Sequence, residues 1–159
     1  MHLSIDQHYP TDPNRVYALL TNEAFLASAA VELGAVEHKV TANAEHSTLE
    51  AVVSSPAKIR RFVGPTVRLA QETTWGEAAP DGSRSGKVGI KVLGSPVSLT
   101  GTLQLVPSSD GSTLTYDGEL KVGIPLVGPS IEKAAAPAIN RALAAQERAA
   151  RRWLAHEPD

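Results

Sequence analysis

Two side chains of this sequence are placed where they could act on a small molecule, and the first is His38. Two-residue alternation over 36–42 puts His38 on the same strand face as Val36 and Val40. An imidazole inside a cavity could hydrogen-bond a ligand or move a proton near neutral pH. The alternative is a histidine at the edge of the core whose ring is satisfied by backbone or solvent.

The second such side chain is Tyr116, which shares a strand face with Leu114 and Leu120. Its phenol could donate a hydrogen bond to a bound carbonyl. A tyrosine in this position could also simply bridge the core and its polar rim.

No other pattern indicates catalysis or a bound metal. The chain has no cysteine, which excludes thiolate nucleophiles, disulfides and the usual structural zinc sites. The five histidines show none of the close spacings that metal sites use. The glycines of 82–87 do not match a phosphate-binding loop, and turn residues flank them. We expect no metal, no cofactor and no catalytic residue set.

The first elements that must position these side chains are a strand and two short helices. Alternation over 2–9 predicts a half-buried strand. Asp12 followed by proline is typical of a helix start, so a helix is expected over 14–20. A second cap at 21–22 predicts a helix that ends at Gly34.

From residue 35 onward the apolar period changes from helical to two, which predicts a run of strands. The segment 56–65 interrupts the run with proline near both ends, and Asp-Gly pairs at 81–82 and 110–111 predict hairpin turns. The expected strands lie over 36–42, 49–53, 67–75, 84–93, 97–106 and 112–122.

A long helix is predicted from Ser130, its expected cap, to about residue 155. One face of this helix is apolar and rich in alanine, while arginines occupy the other. Pro137 falls inside it and predicts a kink or a later true start. The order of elements favours an α+β fold.

Composition narrows the class of protein further. At 159 residues the chain fits a single domain spanning 1–159. Its 15 basic and 17 acidic side chains are scattered along the sequence, which argues against binding to nucleic acid or anionic lipid. We also expect no membrane span and a cytoplasmic location. Aromatic residues make up only 4% of the chain, so the interior either packs very tightly or leaves a void.

Three segments resemble the START-like superfamily, also called SRPBCC, which includes lipid-transfer domains and polyketide aromatase/cyclases. They are the entry helix DPNRVYALLT at 12–21, the strand end TTW at 73–75 and the IPLVG segment at 124–128. The resemblance covers nearly the whole chain and is greatest to an uncharacterised bacterial branch. It implies a helix-grip fold, in which a curved, seven-stranded antiparallel sheet surrounds the C-terminal helix and a ligand lies between them.

We therefore expect a monomer or homodimer that binds, transports or senses a small hydrophobic molecule, lipid-like or polyketide-like. The alternatives are an aromatase/cyclase-type enzyme that uses His38 or Tyr116, and an interaction domain that holds no ligand. A roomy apolar cavity favours the carrier, two convergent polar groups favour the enzyme, and a small dry core favours the interaction domain. The expected cavity residues are Val36, His38, Val40, Leu49, Val88, Ile90, Leu103, Leu114, Tyr116, Ala135, Ile139, Ala142 and Leu143.

Overall fold

A single antiparallel sheet of seven strands and one long helix dominate the structure, a computed structural model that describes residues 1–156. The strands are β1 (His2–Tyr9), β2 (Glu37–Ala42), β3 (His46–Ser54), β4 (Thr66–Trp75), β5 (Arg84–Val92), β6 (Val97–Ser108) and β7 (Gly111–Val122). The helices are α1 (Pro13–Leu20), α2 (Glu23–Glu32), α3 (Arg60–Val63) and α4 (Gly128–Ala155), and a short 3-10 turn spans Ala57–Ile59.

The strand order is β1-β7-β6-β5-β4-β3-β2, and every neighbouring pair is antiparallel. The first strand therefore pairs with the last, while the remaining strands follow one another as hairpins. The predicted helix-grip α+β fold is confirmed, including the two short helices after β1 and the long C-terminal helix.

The two short helices begin at the caps that the sequence predicts. The Asp12 carboxylate accepts a hydrogen bond from the Arg15 amide at 3.0 Å, and the Asn22 side chain accepts one from the Phe25 amide at 3.1 Å. Beyond α2, Gly34 has a φ of 87°, a conformation that glycine adopts at no steric cost. These caps fix where the two helices begin, and Gly34 marks the turn that follows α2.

Helix α4 begins earlier than predicted. It starts at Gly128, so Ser130 lies inside the helix and is not its cap, and Pro137 does not delay the start. The Pro129 ring suits the first helical turn, where its missing N–H costs nothing. Glu132 then ties the helix to the sheet, because its carboxylate accepts a hydrogen bond from the Val122 amide at 3.0 Å. That bond holds the pKa of the Glu132 carboxyl below its ordinary value.

Two glycines allow the sheet to close around α4. Gly101 of β6 pairs directly with Gly118 of β7. A Cβ added to Gly101 would lie 2.4 Å from the Asp117 carbonyl oxygen, and one added to Gly118 would lie 2.7 Å from the Thr100 carbonyl oxygen. No other residue fits such an approach, so this pair marks a tight bend of the sheet.

The buried apolar residues form two clusters at opposite ends of α4. The larger one packs α1, α2 and the C-terminal half of α4 against β6 and β7, around Phe25, Leu105 and Ala150. The smaller one joins the segment 56–65 to the first turns of α4 through Ile59 and Ile131. The interior between the two clusters is where a ligand site must be sought.

Candidate functional site

A cavity of about 630 Å³ lies between the inner face of the sheet and α4. Its floor contains a continuous cross-strand row, because Leu49, Gln71, Ile90, Leu99 and Leu120 are direct partners on successive strands. Directly opposite residues of an antiparallel sheet share a face, so the register itself aligns these side chains. Gln71 is the one polar member of the row.

The helix side of the cavity consists mainly of small side chains. Ala135, Ala138, Ala142 and Ala145 lie along α4 at helical spacing and all line the cavity. A helix held by a sheet needs large side chains to fill the space between them, and alanine does not provide them. The cavity is therefore a consequence of the alanines that the sequence places on this helical face.

A buried polar network closes the cavity on the side of β1 and β7. Gln7, only 1% exposed, donates to the Leu143 carbonyl at 2.9 Å and to Gln146 Oε1 at 3.2 Å. The Tyr9 hydroxyl donates to Gln7 Oε1 at 2.5 Å. The Tyr116 hydroxyl donates to the same Gln146 oxygen at 3.3 Å. The network fixes the register of α4 against β1 and β7, and it brings the Tyr116 phenol and the Gln146 amide together at the cavity wall.

Burial governs the chemistry of Tyr116. It raises the pKa of the Tyr116 phenol well above its ordinary value, and the hydrogen bond to Gln146 only partly opposes that effect. The phenol therefore stays protonated at neutral pH, where it can donate a hydrogen bond and cannot serve as a base.

Eight of the thirteen predicted cavity residues line the cavity. Leu49, Val88, Ile90 and Tyr116 contribute from the sheet. The other four, Ala135, Ile139, Ala142 and Leu143, contribute from α4. Their binding of a ligand stays a prediction.

The expectation that Val36, His38 and Val40 line the cavity is wrong. Val36 is 72% exposed, His38 is exposed, and neither residue lines the cavity. Val40 is half-buried on the same face as Leu49, its partner, but does not line the cavity. The two-residue alternation predicts the faces of β2 correctly. However, β2 is the edge strand and packs against α2, so α4 does not cover its inner face.

The expectation that Leu103 and Leu114 line the cavity is also wrong. They are 2% and 0% exposed and belong to the larger packed cluster, not to the cavity wall. Their side chains point inward as predicted, but α1 and α2 fill the interior at that end of the sheet.

Sequence reasoning missed several residues that line the cavity. Gln71 lies four residues before Trp75 on β4, so two-residue alternation places it on the face of that buried ring. Gln146 lies four residues after Ala142 and three after Leu143, on the face already identified as apolar. Leu26 of α2 and Leu33 just after it carry no signal of this kind, because only the tertiary fold brings α2 to the cavity.

The charged residues that border the cavity are exposed. Arg141 and Arg148 of α4 and Glu32 of α2 lie around its edge, where Glu32 also pairs with Arg152 at 2.5 Å. The hydrogen bond from Arg152 lowers the pKa of the Glu32 carboxyl. The apolar interior and the charged rim together make a site suited to a molecule with little charge of its own. Within residues 1–156 no group of side chains is arranged to hold a metal ion.

Comparison with solved structures places this architecture in the START-like class. The STAR-related lipid transfer protein of Xanthomonas axonopodis superposes with a TM-score of 0.62 at 17% identity, covering 98% of this chain and 85% of that one. The di-domain ARO/CYC StfQ from the steffimycin biosynthetic pathway superposes with a TM-score of 0.65 at 10% identity, covering 95% of this chain and 50% of that one. The chain has the START-like helix-grip fold.

Sequence comparison gives the family. Residues 4–154 match the model of a family described as a protein of unknown function, DUF2505, and the chain belongs to that family. An uncharacterized protein of Mycobacterium tuberculosis strain H37Rv is 25% identical over 111 residues, which is 67% of this chain and 63% of the relative. The alignment thus spans somewhat less than two thirds of that relative. Over residues 1–156 no helix is long and apolar enough to cross a bilayer.

Proposed function

We propose that this protein binds a small hydrophobic molecule, lipid-like or polyketide-like, in the cavity between the sheet and α4, and that it carries or senses that molecule. The single observation that carries the proposal is the cavity of about 630 Å³, whose wall is mainly aliphatic. Ligand sites of proteins have volumes of roughly 300–1,000 Å³ and mostly apolar walls. The similarity to a protein described as a lipid transfer protein supports the same assignment.

The interior polar groups set the chemistry of the ligand. Tyr116 offers a hydroxyl that stays protonated, and Gln71 offers an uncharged amide. A carboxylate buried among these groups would lack a cationic partner, because the arginines at the cavity edge are exposed. The ligand is therefore expected to place a neutral oxygen, a hydroxyl or a carbonyl, inside the cavity.

Filling the cavity tests the proposal. The variant Ala142→Phe places a large ring into the space, so it should abolish uptake of a fluorescent polycyclic probe that the parent protein binds. Its melting temperature should be unchanged or modestly raised, since the ring fills a void. The matched control is Ala144→Phe, which makes the same change on the same helix outside the cavity lining and should bind the probe like the parent.

The opposite result is equally clear. If the parent takes up no probe and Ala142→Phe costs ~1–3 kcal/mol, as overpacking of a dense core does, the interior is closed and the proposal is wrong. Chemical denaturation and probe titration of the three proteins provide both measurements.

An aromatase/cyclase-type activity is the second candidate, and one observation favours it. Tyr116 and Gln146 converge at 3.3 Å on the cavity wall, which is the arrangement expected of an enzyme site. Tyr116 would turn its hydroxyl proton from Gln146 Oε1 to a ketone oxygen, while the exposed His38 takes no part. This candidate differs from a carrier in requiring that a bound poly-β-ketone leave the protein as a cyclised product.

A further inference from the structure

The connections between strands carry different charges at the two ends of the sheet. At one end of the sheet, the connections 10–12, 43–45, 76–83 and 109–110 contain five carboxylates and no lysine or arginine. At the other end, the connections 33–36, 55–65, 93–96 and 123–127 contain three basic residues and no carboxylate. We call the first the acidic end and the second the basic end. The carboxylates are Asp12, Glu45, Glu77, Asp81 and Asp110, and the basic residues are Lys58, Arg60 and Arg61.

The strand ends extend the basic end. Arg68, Lys91 and Lys121 lie within two residues of the ends of β4, β5 and β7, and all three are exposed. The nearby carboxylates are engaged: Glu37 pairs with Arg68 at 3.3 Å, Glu119 pairs with the N-terminal amine at 3.4 Å, and Glu132 accepts the Val122 amide. Antiparallel pairing thus collects at one end basic residues that are distant in the sequence.

The basic end also carries exposed aliphatic side chains. Val36, Leu93 and Leu126 are 72%, 44% and 100% exposed, each in a connection at this end. Leu126 has a φ of 71°, a strained conformation for leucine, although its side chain contacts nothing that would hold it there. Exposed aliphatic side chains grouped in this way mark an interaction surface.

Backbone hydrogen bonds hold these connections together as one surface. The Val36 amide donates to the Val52 carbonyl at 2.9 Å, on the strand next to Arg68. The Leu93 amide donates to the Arg68 carbonyl at 2.8 Å. The connection that contains Leu126 is joined to the β5–β6 hairpin, where the Gly123 amide donates to the Pro96 carbonyl at 2.8 Å.

We propose that the basic end docks on an anionic lipid bilayer, with Leu126 and Leu93 inserted among the acyl chains and the lysines and arginines against the headgroups. Basic residues beside exposed aliphatic ones are the combination that binds peripherally to anionic membranes. A nucleic acid would be served by the charges alone, and a fully exposed leucine would add nothing to phosphate contacts. The acidic end lies at the opposite ends of the strands and would face away from the bilayer.

The basic end adjoins the cavity. Docking therefore rests on the proposed function and would bring the ligand site next to the membrane. Ser55, Ile59 and Val63 of the segment 55–65 line the cavity, and Lys58, Arg60 and Arg61 lie on the same segment. A protein docked by this end would hold the cavity wall against the membrane, so a hydrophobic ligand could pass between them without crossing much water.

Vesicle sedimentation tests the docking. The protein should sediment with phosphatidylcholine vesicles that contain phosphatidylglycerol and not with pure phosphatidylcholine, and added salt should weaken the binding. Removing one lysine near an anionic surface, Lys121→Gln, should weaken binding about fivefold. Leu126→Asn should weaken it about tenfold, since it removes a leucine from the apolar layer, and asparagine tolerates the positive φ.

Two variants outside the basic end are matched controls. Lys87→Gln and Val106→Asn make the same kinds of change on exposed residues of β5 and β6, and both should bind vesicles like the parent. Ala142→Phe should also bind vesicles normally, so failure of the cavity and failure of the docking are separate results.

Three results would overturn the docking proposal. One is equal sedimentation with both kinds of vesicle, and another is equal weakening by Leu126→Asn and Val106→Asn. The third is binding to a duplex oligonucleotide, insensitive to Leu126→Asn, without any binding to the anionic vesicles.

Discussion

Helix α4 contacts two different interiors along its length. Its C-terminal half packs into the larger cluster, where Ala149 and Ala150 are 7% and 0% exposed. Its preceding turns, around Ala138 and Ala142, face the cavity instead. Both halves present alanines to the sheet, so the helix itself does not decide which region is dense. The difference must come from what lies opposite.

The two regions differ in the number of aromatic rings that they contain. The chain has two phenylalanines and two tryptophans, and three of these four, Phe25, Trp75 and Trp153, belong to the larger cluster or pack against it. Phe25 meets Trp153 edge-on at 5.7 Å, and Trp75 meets Tyr17 edge-on at 5.9 Å. α1 and α2 bring Tyr17 and Phe25 to that end of the sheet. Over the middle of the sheet α4 presents mainly alanines, and among residues 1–156 no phenylalanine or tryptophan lines the cavity.

The largest expected effect is the loss of stability when a residue of the larger, densely packed cluster is truncated. Phe25 is fully buried, so Phe25→Ala should cost ~3–5 kcal/mol of unfolding free energy, through lost apolar burial and the new void. Ile90→Ala is the comparison at the cavity wall, where a void already exists and little more is created. It should cost ~1–2 kcal/mol, nearer to the transfer contribution alone.

Urea unfolding of the two variants measures the contrast. Equal losses for Phe25→Ala and Ile90→Ala would mean that the cavity wall is packed as tightly as the cluster, and the distinction between the two regions would fail.

A smaller effect is expected where the backbone beside the cavity is tightly packed. Gly101 lines the cavity, yet its missing Cβ would meet the Asp117 carbonyl oxygen at 2.4 Å. Gly101→Ala should therefore cost ~1–3 kcal/mol, despite the empty space nearby. Gly89 is the control, because a Cβ there meets nothing within 4 Å, so Gly89→Ala should be tolerated. Thermal unfolding of both variants decides the point, and an equally stable Gly101→Ala would contradict it.

The sequence predicts local features of this fold well, because each depends on a few neighbouring residues. Capping by Asp12 and Asn22 and the two-residue period of the strands are of this kind. The fold class followed from the order of such elements and from the resemblance of three short segments. The start of α4 was missed, because its connection to β7 through Glu132 is a tertiary contact.

The candidate site was predicted only in part, for a different reason. Alternation gives the face of a strand, and it assigned His38 and Leu103 to the inner face correctly. It does not tell which part of that face α4 covers, which part α1 and α2 fill, and which part stays hollow. Those answers depend on strand order and on the path of α2, and the separation of charge between the two ends depends on them as well.

The smallest expected effect at neutral pH concerns the boundary between the two regions, where Tyr116 packs against the larger cluster and also lines the cavity. Tyr116→Phe keeps the ring and removes its hydrogen bond to Gln146, so it should cost ~0.5–1.5 kcal/mol at pH 7. The loss should be nearer the lower figure, because Gln7 still donates to the same Gln146 oxygen.

The pH dependence of that variant tests the burial of the phenol. Burial raises the pKa of Tyr116 in the folded protein, so the unfolded chain loses this proton first, near its ordinary pKa of about 10. The stability that the protonated phenol contributes is complete below that pH and falls as the pH rises above it. Tyr116→Phe should therefore lose stability less steeply than the parent above pH ~10. Some slope should remain, because burial also raises the pKa of Tyr9. Urea unfolding at neutral and alkaline pH measures both slopes, and identical slopes for parent and variant would place the Tyr116 hydroxyl in water and not at a dry cavity wall.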